Sequence, residues 1–100
     1  MKEFAMRVIT KKRIQDFADL HSAAAPALRV FYKLIIESQF SSPADLQLTF
    51  GQVDYVEGLY VFNIGKSHRL IAAIHFRGQR LYVRHILTHA EYDRGKWKPK

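Results

Sequence analysis

The sequence predicts an α+β fold in which a two-helix hairpin packs on a mainly antiparallel, twisted β-sheet. Two observations predict it. In the second half of the chain, three runs rich in Val, Ile, Tyr and Phe (Leu59–Ile64, Arg69–Phe76 and Arg80–Thr88) are separated by the turn signals Gly65-Lys66-Ser67-His68 and Gly78-Gln79. In the first half, apolar residues recur at helical spacing on both sides of a break at Ser22–Pro26. Helices gathered in one half and strands in the other are the pattern of an α+β fold, not of alternating βαβ units.

In chain order, Phe4–Ile9 alternates loosely, and Met6-Arg7-Val8-Ile9 reads as a short first strand. Thr10 is placed to cap a helix from Lys11. Ile14, Phe17, Ala18 and His21 share one face of it, and Lys12, Arg13, Asp16 and Asp19 form its wet side. Pro26 suits the first turn of a second helix running to about Ser38, because its missing N–H is unpaired there anyway. Leu28, Phe31 and Ile35 form that helix's stripe, widened by Val30 and Leu34. Phe40–Asp45 is a loop by composition, and the alternating Leu46, Leu48 and Phe50 read as a weak strand or an apolar connection. After Thr88 the strand pattern stops, and Ala90–Lys100 reads as a charged tail with one helical turn.

If Gly78-Gln79 is a two-residue type II′ loop, Arg77 faces Arg80 and the pairing runs back to Arg69 opposite Thr88. One face then carries Leu70, Ala72, Ile74, Phe76, Leu81, Val83 and Leu87, with His85 its only polar member. The other carries Arg69, His75, Arg77, Arg80, Tyr82, Arg84 and Thr88. A cationic and aromatic face calls for an anionic, stackable partner.

At 100 residues the chain reads as one domain, 1–100, with residues 1–5 as a flexible extension (Met6 is an alternative start) and 93–100 as a basic tail. The formal charge of +7 is uneven: residues 51–100 hold nine Lys/Arg against four Asp/Glu. Such a balance fits nucleic acid or an acidic protein. No cysteine is present, which removes disulfides and thiolate metal sites. No signal-peptide or membrane-length apolar run occurs, so a cytoplasmic protein is expected. The five histidines form no metal-ligand set, and the glycines form no phosphate-binding fingerprint, so neither metal nor cofactor is expected.

Arg69 and Arg84 share the outer face, where guanidinium forks can hold a scissile phosphate and its developing charge. His75 and Tyr82 on that face can stack an unpaired base. Thr88-His89-Ala90-Glu91-Tyr92-Asp93-Arg94 follows the last strand, with Thr88 and Glu91 in capping-box spacing. That cap leaves His89 and Tyr92 near the cationic face. Histidine is the side chain best suited to proton transfer near neutrality, and a tyrosine beside Lys96 or Arg94 can donate a hydrogen bond or a proton.

The segments Phe62-Asn63-Ile64-Gly65, Arg69-Leu70-Ile71 and Tyr82-Val83-Arg84, and above all Thr88-His89-Ala90-Glu91-Tyr92-Asp93, resemble the HigB family of type II toxins. Ser42-Pro43-Ala44-Asp45-Leu46 and Phe31-Tyr32 fit the same pattern, and the resemblance spans about residues 6 to 98. It implies a RelE-like fold with a basic concave sheet. The loop before Arg69 is shorter than the family's usual Gly-Gly-Asn arrangement.

The resemblance implies a bacterial, cytoplasmic mRNA endoribonuclease acting on messages at the ribosome and neutralised by a helix-turn-helix antitoxin, HigA. On that reading, Arg69 and Arg84 stabilise the phosphorane formed by metal-independent 2′-hydroxyl attack. His89 or Tyr92 acts as base and the other as acid, in either order, while Lys66, Lys96, Trp97 and Lys98 hold flanking phosphates and bases. The rival expectation is a non-enzymatic toxin, or an RNA- or protein-binding module of the same fold.

Overall fold

The computed structural model describes residues 5–98, so all but the last residue of the expected extension lies outside the described residues. The strands are β1 (Arg7–Val8), β2 (Asp54–Val56), β3 (Leu59–Ile64), β4 (His68–His75) and β5 (Arg80–Thr88). The helices are α1 (Lys11–Leu20), α2 (Ala25–Ile36), α3 (Pro43–Thr49) and α4 (His89–Arg94), with a 3-10 turn at Ser22–Ala24. The fold is α+β. The sheet order is β1-β5-β4-β3-β2: an antiparallel meander from β2 to β5, with β1 parallel to β5 at the far edge.

Helices α1 and α2 cover one face, as the periodicity predicts. Ile14, Leu28, Phe31 and Ile35 are buried against Phe62, Leu70, Ala72, Leu81 and Val83. Val30 and Leu34 do not widen the stripe. They are exposed, because only the positions nearest the sheet can reach it. Thr10 precedes α1 but does not cap it; its Oγ1 accepts the Val83 N–H at 2.6 Å. With Arg13 Nη1 donating to Arg84 O at 2.9 Å, this ties α1 along the edge of β5 beyond the short β1. An unpaired strand edge is thereby covered.

The Leu46–Phe50 stretch is helical rather than a strand. Ser42 accepts the Asp45 N–H at the N-cap, and Pro43 occupies the first turn. Leu46 is buried and Leu48 is exposed, so the apparent alternation places them on opposite sides of a short helix.

The β4–β5 register also departs from expectation. The last pair is His75↔Arg80, leaving a four-residue loop, Phe76–Gln79. Gln79, not Gly78, takes the left-handed backbone (φ 52°), and its N–H bonds Phe76 O at 3.1 Å. Gly78 matters for another reason. A Cβ there would lie 2.9 Å from the His75 ring and the Arg80 guanidinium.

A second departure lies mid-strand. Ala72 pairs with Val83 but Ile71 pairs with His85, so Arg84 is the extra residue of a β-bulge. The bulge reverses the facing of everything beyond it. Ile86 packs on the helix-covered core, whereas Leu87 joins Val61 and Ile71 on the opposite face. His85, expected as the polar member of the core face, is exposed on that opposite face instead.

Candidate functional site

The open sheet face is built by β4 and β5 and closed at one end by α4. Thr88 Oγ1 accepts the Glu91 N–H at 3.2 Å while Glu91 Oε1 accepts the Thr88 N–H at 2.9 Å, completing the capping box. The Thr88 N–H donating to the carboxylate, with the Thr88 hydroxyl beside it, favours the charged form and holds the Glu91 pKa below its ordinary value. Glu91 in the first turn and Arg94 in the last suit the helix dipole. Gly95 ends the helix with a left-handed backbone (φ 72°). The chain then folds back, with Lys98 N–H bonded to Gly95 O at 3.2 Å, and sets Trp97 on the sheet.

Trp97 is 7% exposed and packs on Val61 and Ile71, with Leu87 and Tyr92 beside it. Its Nε1 donates to Tyr92 O at 3.0 Å, and the two rings stack 5.2 Å apart at 14°. The Arg69 guanidinium lies 5.8 Å from the other aromatic neighbour, Tyr92, and Lys98 Nζ lies 5.9 Å from the Trp97 ring. Sequence reasoning treats Trp97 as a stacking surface for RNA. The structure uses it as the anchor of α4, because Val61, Ile71 and Leu87 need an apolar cover that the predicted cationic and aromatic face does not require. The Trp97 stack sets Tyr92 against Arg69.

His89 opens α4, its backbone N–H bonded to Ser67 O at 2.9 Å. Its Nδ1 lies 3.0 Å from Asp93 Oδ2 one helical turn on. An exposed pair of this kind adds little stability. The contact orients the imidazole, with Nδ1 toward Asp93 and Nε2 turned away from it. Asp93 is absent from the sequence-derived set, although i,i+4 spacing within one helix is the signal of its contact with His89.

Arg84 is exposed on the bulge, its guanidinium 6.0 Å from the Tyr82 ring. The two arginines do not converge. Arg69 pairs with Leu87, three residues from Arg84 along β5, a Cα separation of about 11 Å from strand rise and spacing. Arg69 leans to Tyr92, while Arg84 leans to Tyr82 on the hairpin side. His75, Tyr82 and Arg80 lie at the hairpin end, where His75 Nδ1 accepts the Gly78 N–H at 3.0 Å. Lys66 is exposed in the β3–β4 loop, and Lys96 is exposed after α4. His85, beside Arg84, has its pKa lowered by partial desolvation and by the charges of Arg13 and Arg84. Among the described residues, no three His, Asp or Glu side chains gather into a metal site.

Fold and site together define a small basic α+β protein of RelE-like architecture, with a cationic sheet face closed by an Arg–Tyr–Trp stack. Residues 24–95 match the HigB toxin family, described as the RelE-like toxic component of a toxin-antitoxin system, and the chain belongs to that family. It is 36% identical over 93 residues to an mRNA interferase HigB of Escherichia coli O6:H1, covering 89% of this chain and 90% of that one. The mRNA interferase toxin HigB of Escherichia coli K12 is 33% identical over 92 residues, covering 88% of each chain. The Shigella flexneri mRNA interferase HigB aligns with the same identity and coverage. No described helix is long and apolar enough to cross a membrane.

Proposed function

We propose that this toxin is an endoribonuclease that cuts messenger RNA by attack of the substrate's own 2′-hydroxyl on the adjacent phosphate. The observation that carries the reading is the grouping of Arg69, Tyr92 and the His89–Asp93 pair at one end of the basic sheet face. Its relatives of matching length are named mRNA interferases. His89 Nε2 takes the 2′-hydroxyl proton, the 2′-oxygen bonds phosphorus, and the P–O5′ bond breaks as the Tyr92 hydroxyl protonates O5′. The products are a 2′,3′-cyclic phosphate and a 5′-hydroxyl. Arg69 neutralises the phosphorane; fixed donors of this kind are worth about 10²–10³ in rate.

The separation of the arginines refines their roles. Arg69 serves the scissile phosphate, whereas Arg84 and Tyr82 serve a neighbouring nucleotide, one by charge and one by stacking. Lys66, Lys96 and Lys98 add backbone contacts, so binding weakens steeply with salt. The arginines supply the positive charge, so a divalent ion is not needed for the step. Messages on the ribosome are the natural substrate, and a HigA-type helix-turn-helix antitoxin is the neutralising partner.

The test is expression without the antitoxin, with transcript ends mapped by primer extension. Growth arrest with internally cut messages is expected. Arrest with intact transcripts would point instead to a toxin that acts by binding.

A further inference from the structure

Beside the catalytic end lies a pocket of about 210 Å³, walled by His85 and Leu87 of β5, Glu91 and Arg94 of α4, and Lys96 and Trp97 of the turn that follows. We propose that this pocket receives one unpaired nucleobase next to the scissile phosphate, and that Glu91 and His85 select a base bearing an exocyclic amino group. The inference rests on the RNA-cleaving reading above and adds its base preference.

Position, size and chemistry each support it. His85 directly follows Arg84, and Leu87 pairs with Arg69, so the pocket lies between the two arginines assigned to successive phosphates. Its volume is several waters' worth at about 30 Å³ each, yet below the roughly 300–1,000 Å³ of pockets that enclose whole small molecules. One planar ring system fits that range. Leu87 and the edge of Trp97 give an apolar floor, while the polar groups stand around it.

The polar set discriminates among bases. Arg94 and Lys96 are donors only and suit phosphate or ring acceptors. Glu91 is an ionised acceptor on a face otherwise rich in cations. It repels phosphate and, besides closing the capping box, can accept N–H groups from a base edge. One of its oxygens accepts the Thr88 N–H, and the carboxylate is exposed to the pocket. Adenine, cytosine and guanine each present an amino group to such an acceptor. Uracil sets carbonyl oxygens on both sides of its single N–H, so a carbonyl would oppose the carboxylate. His85 completes the edge. Partial desolvation and the charges of Arg13 and Arg84 beside it favour its neutral ring, able to donate from one nitrogen and accept at the other. Glu91, Arg94 and Lys96 line the same pocket.

Glu91→Gln isolates the claim, because glutamine also completes a capping box but exchanges an acceptor-only group for an amide. The experiment expresses wild type, Glu91→Gln and His85→Ala without antitoxin, maps 5′-hydroxyl ends across the transcriptome, and checks folding by thermal melting. Wild type should cut with uridine depleted at one fixed position beside the scissile bond. Glu91→Gln should keep cutting and reduce that depletion about tenfold, the discrimination expected of a good base contact. His85→Ala should relax the same position and no other. Identical preferences in all three proteins, or a folded Glu91→Gln that cuts nothing, would overturn the inference while leaving the ribonuclease reading intact. A wild type that cuts nothing would overturn both.

Discussion

Replacing Trp97 by alanine separates its two conceivable uses, RNA stacking and structural anchoring. A buried aromatic removes about 150–250 Å² from water, which at ~25 cal/mol per Å² is about 4–6 kcal/mol as an upper bound. Trp-to-Ala changes in cores cost about 3–5 kcal/mol. At 7% exposure Trp97 belongs in that class, and its stack on Tyr92 and bond to Tyr92 O are lost as well. A chain of this size has on the order of 5–15 kcal/mol of stability in total. At about 4–8 °C per kcal/mol, the midpoint of thermal unfolding should fall by at least about 12 °C. Circular dichroism reads it directly. Trp97→Phe, which keeps an apolar ring but loses the indole N–H, should cost about 1–2 kcal/mol. Because Trp97 is the only tryptophan, its fluorescence in the parent protein also reports docking of the segment after α4. A Trp97→Ala protein that melts within a few degrees of the parent yet binds RNA more weakly would refute the anchoring role.

Three other outcomes follow from the site. Asp93→Asn should retain the fold, since the ion pair is exposed, but lower cleavage by tenfold or more by releasing the His89 ring; single-turnover rates across pH check it. Thr88→Ala removes the Oγ1 acceptor of the capping box and should cost about 1 kcal/mol, seen as a lower urea midpoint with unchanged slope. The folded pKa of His85 lies below its ordinary 6.5, so the unfolded chain binds more protons between those values. Stability should therefore decline as pH falls from 6.5 through that window, and His85→Gln should flatten the decline in denaturant titrations.

The meander was legible because Val, Ile, Tyr and Phe cluster in three runs with clear punctuation, and α1 and α2 because their apolar stripes recur every three to four residues. α4 was legible from Thr88 and Glu91 alone. The α3 helix was misread because Leu46, Leu48 and Phe50 alternate like a strand, although Ser42-Pro43 was a helix start in plain view. The hairpin register was missed because the conformation of Gln79 depends on its tertiary surroundings. The bulge had a faint mark, the adjacent polar pair Arg84-His85 inside an alternating strand, and missing it put His85 on the wrong face. In the site, residue types and general location were readable, since charge and capping are local. The burial of Trp97 was not, because it depends on how the segment after α4 folds back across the sheet.

The most direct test of the account is the chemistry of the cut ends. RNA from cells expressing the toxin without antitoxin is analysed for both termini at each internal cut, beside an Arg69→Ala strain producing equal amounts of folded protein. The account predicts 2′,3′-cyclic phosphate and 5′-hydroxyl ends in the first, reduced by about 10²–10³ in the second. Ends bearing 3′-hydroxyl and 5′-phosphate, or cutting that survives Arg69→Ala undiminished, would contradict it.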